Sequence, residues 1–401
     1  MATTQPRIVI IGGGPSGLVL LLTLIRRGIP ATLYERDADR SSRAHLGGTL
    51  DLRWETGQRA LRENGLQDVF IANSREDLDF MTVTDSSANI LLRTPEGKPK
   101  PEESRPEIDR TVLRRILYEA IPAEHIKWGH AFASARPLGN GQHEVTFANG
   151  ATVVSDILVG ADGAHSRVRA LVSPGSTPTY TGISAVEVSL TAAAAAAPDM
   201  ADVRALIGRG TLMSLEGGHM LGGQLNGEGR VRSFAMLRAA EGWTLPADTA
   251  GACAALRDAH PGWAPVLLKM FGREDTVEGV PIVRPLYTLP VGHRWDHVDG
   301  VTLIGDAAHL MPPFAGMGVN LAMLDALECG LALVDVITKG APVAEREAAV
   351  AHWEETMFAQ AATWGKMTTE NMEGFFGKDA PASMLEKLQK YMGLAPVSRE
   401  K

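Results

Sequence analysis

Two short stretches, far apart in the chain, combine glycines with a carboxylate in patterns that can hold an anion. In "GGGPSG" (residues 12–17), Gly12, Gly14 and Gly17 read G-x-G-x-x-G, with Ser16 inside the same turn. Glycines at that spacing let backbone amides approach a pyrophosphate at the start of a helix. Glu35 follows roughly twenty residues later, where an acid binds a pair of ribose hydroxyls and disfavours a ribose phosphate. In "VTLIGDAAHLMPPFAGMGVN" (301–320), Asp306 precedes Pro313, Gly316 and Gly318. Its carboxylate could bond a chain of sugar-like hydroxyls. The amides of Gly318, Val319 and Asn320, at the start of a helix, could face the anionic edge of a ring that takes up electrons. One long dinucleotide spanning both stretches would use both, and FAD has that form.

Such motifs need strands and helices to aim them. "RIVIIGGGPSG" reads as a buried parallel strand, Ile8 to Ile11, then a glycine turn and a helix from about Pro15 to Arg27. "PATLYERD" supplies the next strand, which completes a βαβ unit. Residues 78–93 predict a hairpin, "GKPKPEESRP" a polar loop, and Arg110 to Ala120 a helix. "HEVTFANGATVV" and "DILVGADG" read as strands. From about 177 to 284 antiparallel strand signals and glycine-rich turns predict an inserted mixed sheet, with "TAAAAAAPD" as a surface loop. The α/β pattern then returns with strand "VTLIGD" and a helix carrying Leu321, Leu324, Leu327, Leu331 and Val334 at helical spacing, and 342–376 reads as helix again.

The expected fold is therefore α/β: a doubly wound, Rossmann-like nucleotide-binding domain, an inserted mixed β-sheet domain for the substrate, and a C-terminal bridging helix. The boundaries read as 1–76, 102–176 and 285–340 for the first domain, 77–101 and 177–284 for the second, and 341–401 for a helical segment.

Bulk properties narrow the partners. The chain has 401 residues, 45% hydrophobic and 21% charged, with net charge -8 and no run of Lys or Arg, which argues against nucleic acid. The two cysteines, Cys253 and Cys329, lack metal-ligand spacing, so no metal site is expected and a reduced cytoplasmic setting fits best. The apolar run Leu18 to Ile25 is too short for the roughly 20 residues that a bilayer requires, so no membrane span is expected.

The motifs "GGGPSG", "LVGADGAHSRVR" (158–169) and the 305–320 stretch, in that order, resemble the FAD-dependent aromatic hydroxylases of the para-hydroxybenzoate hydroxylase type. "GGTLDL" (47–52) and "PEIDRTVLR" (106–114) are similar to the tetracycline-inactivating flavin monooxygenases within them. The resemblance implies that Glu35 and Arg36 hold the adenosine end and that Asp51, Arg110 and Asp306 contact FAD. It implies that Asp162 and Gly163 serve both FAD and NADPH, and that Arg43 binds NADPH. NADH is an alternative donor. Set against this, Asp162-Gly163 alone is a common turn, Arg169 reads as a charge on a helix surface as often as a ligand, and His309 reads as structural.

For the substrate, the resemblance points to the middle sheet and the C-terminal helix. There this chain offers Glu187, Thr211, Gly222 and Arg232 where the tetracycline enzymes use Gln, Arg, Phe and His, and keeps Met213; Asn371 and Phe375 are further candidates. The implied activity is hydroxylation of an aromatic, phenolic or polyketide-like small molecule with NAD(P)H and O2 by a monomer, with tetracycline as a candidate. No acid–base catalytic residue is nominated, because the cofactor carries such chemistry. A flavin halogenase is disfavoured, since Trp263 and Trp295 stand alone and form no W-x-W-x-I-P. A non-catalytic FAD-binding redox protein is the reading from another class.

Overall fold

The computed structural model describes residues 5–42, 48–75, 81–94, 104–208, 210–226, 229–277, 279–377 and 379–391. Five short strands form a parallel sheet in the spatial order Val301–Leu303, Ile157–Gly160, Ile8–Ile11, Ala31–Tyr34, Ile126–Lys127. Ile8, Val9, Ile10 and Ile11 are all buried, as expected of a strand covered on both faces. Helix Pro15–Arg26 follows the first strand, and its apolar residues pack with those of helix Gly318–Thr338 in one core. The two helices approach closely at Gly330, where a Cβ would stand 2.7 Å from Thr23 Cγ2. A separate antiparallel sheet is formed by Phe132–Gly139, Gln142–Phe147 and Thr152–Ser155.

The middle of the chain forms a seven-stranded mixed sheet. Its order is Ile282–Thr288, Thr179–Leu190, Val231–Arg238, His219–Leu225, Thr211–Glu216, Met81–Thr84, Ile90–Arg93. Thr179–Leu190 with Val231–Arg238, Val231–Arg238 with His219–Leu225, His219–Leu225 with Thr211–Glu216, and Met81–Thr84 with Ile90–Arg93 pair antiparallel, whereas Thr211–Glu216 with Met81–Thr84 is parallel. One face packs Val186, Val188, Leu212, Leu221, Val231 and Ala235 against short helices. Those helices, among them Ala201–Ile207 and Thr249–Asp258, were not anticipated from the strand-like pattern. Nor is the alanine run a surface loop. Ala192–Ala196 is helical, with Ala194 and Ala195 buried. Thr191 caps it by accepting the Ala194 amide at 3.2 Å, and Pro198 stops it, so high alanine propensity prevails over the expected break.

Contacts group the chain into two units. The first comprises Met1–Ser74, Pro101–Thr179 and Tyr287–Thr368; the second comprises Arg75–Lys100, Tyr180–Leu286 and Thr369–Lys401. Helix Val343–Phe376 contributes residues to both. No helix among the described residues is long and apolar enough to cross a membrane.

Within the first unit this helix is tied to the parallel sheet by buried charge. Glu354 accepts from Trp295 Nε1 at 3.1 Å, Thr302 Oγ1 at 2.6 Å and His297 Nδ1 at 2.7 Å. Glu347 accepts the Gly300 amide at 2.8 Å and His297 Nε2 at 3.3 Å. Hydrogen bonds to Glu347 and Glu354 push the His297 imidazole up to about 9, so it is an imidazolium at neutral pH. A raised folded-state pKa stabilises fully below the unfolded value near 6.5, and that contribution disappears as pH rises through about 9. We expect the urea stability of the wild type to fall by on the order of 1–3 kcal/mol relative to His297→Gln across that window, after allowance for solvent screening. Parallel pH profiles for the two proteins would exclude the imidazolium lock.

Candidate cofactor site

The glycine turn sits at the carboxyl end of the first strand. Gly12 has φ +111°, and a Cβ there would meet Ala161 O at 2.3 Å; a Cβ on Gly17 would meet Gly12 O at 2.0 Å. These two glycines close the turn and seat the helix on the strand. Gly14, the residue before the helix, has nothing within 4 Å of its Cβ position, so a ligand can approach its backbone. Glu35, only 5% exposed, directly follows the second strand, Ala31–Tyr34, and accepts the Gly13 and Asp37 amides. Arg114 donates to the Gly13 carbonyl at 3.3 Å and pairs with Asp37 at 2.9 Å, while the Tyr118 hydroxyl donates to the same carbonyl at 3.0 Å. Arg36 is exposed.

Strand Ile157–Gly160, adjacent to the first, delivers the second motif. Asp162 accepts the Arg167 amide at 2.8 Å, and Gly163 follows with φ +82°. Next in the sheet, Val301–Leu303 leads to Gly305 and a short helix, Asp306–His309. The Gly305 Cβ position is 3.2 Å from Ser16 Oγ, so the first and third motifs touch.

Arg169 joins the second motif to the third. It is 2% exposed, and its guanidinium donates to the carbonyls of Ala164 at 2.8 Å, Ala307 at 3.0 Å and Ser176 at 3.2 Å. It is therefore not a helix-surface charge, one of the two readings its sequence context leaves open. An arginine in "SRVR" carries no sign of burial by itself; only the approach of the 306–307 backbone makes it a clamp.

Asp306 reaches solvent, yet surrounding protein disfavours its charge. Desolvation holds its carboxyl above the ordinary range, against the opposing charges of His309, Arg110 and Arg169. Asp51 is likewise raised by burial, with Arg53 and Arg105 opposing. Gly316, with φ +63°, lies against Asp51: a Cβ there would stand 3.4 Å from Asp51 Oδ1. Pro313 opens the short turn Pro313–Ala315 that leads to it. Helix Gly318–Thr338 starts as expected, and Leu321 is the first residue to bond back, to Met317 O. The amides of Gly318 and Val319 at its head thus point out of the helix.

The Asn320 side chain is fully buried and occupied. Its Oδ1 accepts from the Arg53 amide at 2.8 Å, Thr56 Oγ1 at 3.0 Å and the Gly57 amide at 3.3 Å. Its Nδ2 donates to Asp51 O at 2.9 Å and Gly316 O at 3.2 Å. Any ligand contact by Asn320 thus falls to its backbone. His309 bonds buried Asp325 at 2.6 Å, and Asp325 accepts the Gly305 amide at 2.9 Å. Burial opposes charge on His309, but Asp325 holds its pKa above the usual value, so the ring serves the loop.

The structure thus gathers Gly12, Gly14, Ser16, Gly17, Asp162, Gly163 and Asp306 at the ends of three adjacent strands. Asp51, Gly316 and Asn320 form a second cluster, and Arg110 lies close enough to influence Asp306. Arg43 lies outside the described residues. Sequence reasoning missed the support given by Arg53, Arg114 and Tyr118; Arg114 ends the quoted "PEIDRTVLR", the only signal for it. In the second unit, Glu187 pairs with Arg232 and, at 3.1 Å, with Arg284, while Met213 lies on the same sheet. Asn371 and Phe375 lie on the C-terminal part of helix Val343–Phe376.

The open approach at Gly14 and the accessible carboxylate of Asp306 fit a long dinucleotide. Replacing Arg169 by Met should leave buried carbonyls without donors and lower stability by about 2–4 kcal/mol. A urea-melt change below about 0.5 kcal/mol, the range of ordinary surface substitutions, would contradict the clamp.

The chain is similar to known proteins along most of its length. The chain is 29% identical to the monooxygenase asqM of Emericella nidulans, covering 91% of this chain and 94% of that protein. It is 26% identical to 3-amino-4-hydroxybenzoate 2-monooxygenase PtmB3 of Streptomyces platensis, covering 96% and 92%. Its fold is similar to that of the tetracycline destructase Tet(51), with TM-score 0.70, 18% identity and coverage of 96% and 95%. The profile of the FAD binding domain family matches residues 5–351, and the chain belongs to that family, the flavoproteins of the para-hydroxybenzoate hydroxylase type.

Proposed function

We propose that the protein is an FAD-dependent monooxygenase that uses NAD(P)H and O2 to hydroxylate an aromatic small molecule, and that it works in the cytoplasm. The observation that carries the reading is the convergence of three nucleotide-binding motifs at neighbouring strand ends, braced by Arg169. The monooxygenases asqM and PtmB3 support the reaction class by their similarity along nearly the whole chain.

FAD, when bound, supplies two-electron acceptance and the activation of oxygen. The turn at Gly12–Gly17 and the amides at the head of helix Pro15–Arg26 would hold its pyrophosphate. Glu35 would meet the adenosine ribose with the lone pairs that Gly13 and Asp37 leave over, and Arg36 would lie beside it. Asp306, Asp51 and Arg110 would hold the ribityl and ring end, with Asp162 and Gly163 shaping the turn beside them. The amides of Gly318, Val319 and Asn320 would stabilise negative charge at the ring's edge. Arg43 would receive the phosphate of NADPH. Glu187, Met213, Arg232, Asn371 and Phe375 would line the substrate site.

With the cofactor supplying the reactive chemistry, the protein's work is to position the reactants and exclude water. Tetracycline is the first compound to test, on the likeness to the destructase fold. The altered residues at Glu187, Gly222 and Arg232 mean that recognition differs from that of the tetracycline enzymes.

The purified protein should be yellow with non-covalent FAD, and Asp306→Ala should weaken FAD binding about ten- to a hundredfold. Unchanged affinity would remove Asp306 from the cofactor site. Incubation with tetracycline or a phenolic panel, NADPH and O2 should yield a product heavier by one oxygen atom. NADPH oxidation with every compound left intact would rule out the monooxygenase reading.

A further inference from the structure

His297, Asp299 and Glu347 bring one nitrogen and two oxygen donors together at the end of the parallel sheet away from the cofactor motifs. His297 and Asp299 precede strand Val301–Leu303, whose other end leads to Gly305 and Asp306, and Glu347 comes from near the start of helix Val343–Phe376. His297 Nε2 stands 3.3 Å from Glu347 Oε2 and 3.9 Å from Asp299 Oδ1, and the three donor atoms all lie within 4.8 Å of one another. In a tetrahedral zinc centre with metal–ligand bonds of about 2.0–2.2 Å, neighbouring donors stand about 3.3–3.6 Å apart. The first pair already has that spacing. Asp299, whose side chain is 72% exposed, closes the remainder by rotating.

Each donor is aimed by a second contact. His297 Nδ1 lies 2.7 Å from Glu354 Oε2; a carboxylate only accepts, so Nδ1 carries a proton and a neutral ring presents the Nε2 lone pair to the other two donors. A metal-bound histidine has this same arrangement, its far nitrogen donating to a carboxylate. Glu354 is itself fixed, since its other oxygen accepts from Trp295 Nε1 and Thr302 Oγ1. Arg346 holds Glu347 Oε1, while Oε2 takes the Gly300 amide at 2.8 Å and faces the imidazole.

Charge favours a cation here. Glu347, Glu354 and Asp299 outnumber Arg346 and the imidazolium by one negative charge at neutral pH. A divalent ion that displaces the Nε2 proton brings the group to neutrality, so the imidazolium described above is the metal-free form. No cysteine takes part, and His297 and Glu347 are 50 residues apart in the chain, so cysteine spacing carries no sign of the cluster.

We propose that His297 Nε2, Asp299 and Glu347 bind a divalent transition ion of the zinc type, with water completing the tetrahedron on the exposed Asp299 side. An imidazole with two carboxylates suits Zn2+ better than Mg2+ or Ca2+, which take oxygen donors in larger numbers. The ion staples the loop before strand Val301–Leu303 to helix Val343–Phe376. Its role is stability, independent of the reaction at the other end of the strand.

The test uses the full-length, FAD-loaded protein, stripped with EDTA and titrated with Zn2+ in a buffer that does not coordinate metals. Calorimetry should show one tight site, and its saturation should raise the melting temperature by several degrees. Asp299→Asn keeps the shape of an exposed side chain, so without metal it should melt with the parent. Its affinity for Zn2+ should fall at least about tenfold, with a smaller gain in melting temperature at the same Zn2+ concentration. His297→Gln should abolish the tight site, and Mg2+ should not stabilise the parent. No tight site, a site that Asp299→Asn weakens by less than about twofold, or equal stabilisation by Mg2+ overturns the proposal. None of these readouts depends on turnover.

Discussion

A single desolvated guanidinium determines how the cofactor motifs of this chain stand relative to one another. Arg169 leaves water to serve carbonyls that neither of its two loops can satisfy alone. Burial lowers its pKa, and the nearby charges of Asp162 and Asp306 oppose that loss. An irregular loop at the end of a parallel strand has no ladder to complete, so its backbone polar groups require partners from elsewhere. Arg169 supplies them for the second and third motifs together. Asn320 does the same for the segment from Asp51 to Gly57, with bonds to four different residues and to its own preceding turn.

The electrostatics around these braces follow from where water is excluded. Asp51 and Asp306 both have raised pKa values for the same cause, desolvation by the surrounding protein that the nearby cations oppose without cancelling. His309, the one imidazole in the third motif, is committed to Asp325 beneath the loop. What the site presents outward includes backbone amides, the two acids and the guanidinium of Arg110. That inventory suits binding and charge stabilisation, with the bond-making steps left to a cofactor.

In the second unit the sheet uses its alternation to divide labour. Alternate residues along each strand build one face into a core with short helices; those between them carry Glu187, Arg232, Phe234 and Met213 on the other. The missing side chain at Gly222 and the ring of Phe234 are one feature, since the first makes room for the second. Looking at Gly222 alone suggests a lost contact, whereas the paired strand supplies an aromatic ring at that place.

Much of the nucleotide-binding half could be read directly, because its signals are local. Ile8–Ile11 is apolar without interruption, Gly12 to Gly17 demand a tight turn, and Leu321 to Val334 repeat at helical spacing; each property belongs to a few consecutive residues. The alanine run was misread because a capping threonine outweighed the downstream proline. The burial of Arg169, the saturation of Asn320 and the lean of Phe234 over Gly222 were decided by tertiary structure. Each depends on residues more than ten positions away in the chain, whose approach is set by strand order and register and leaves no trace in local pattern.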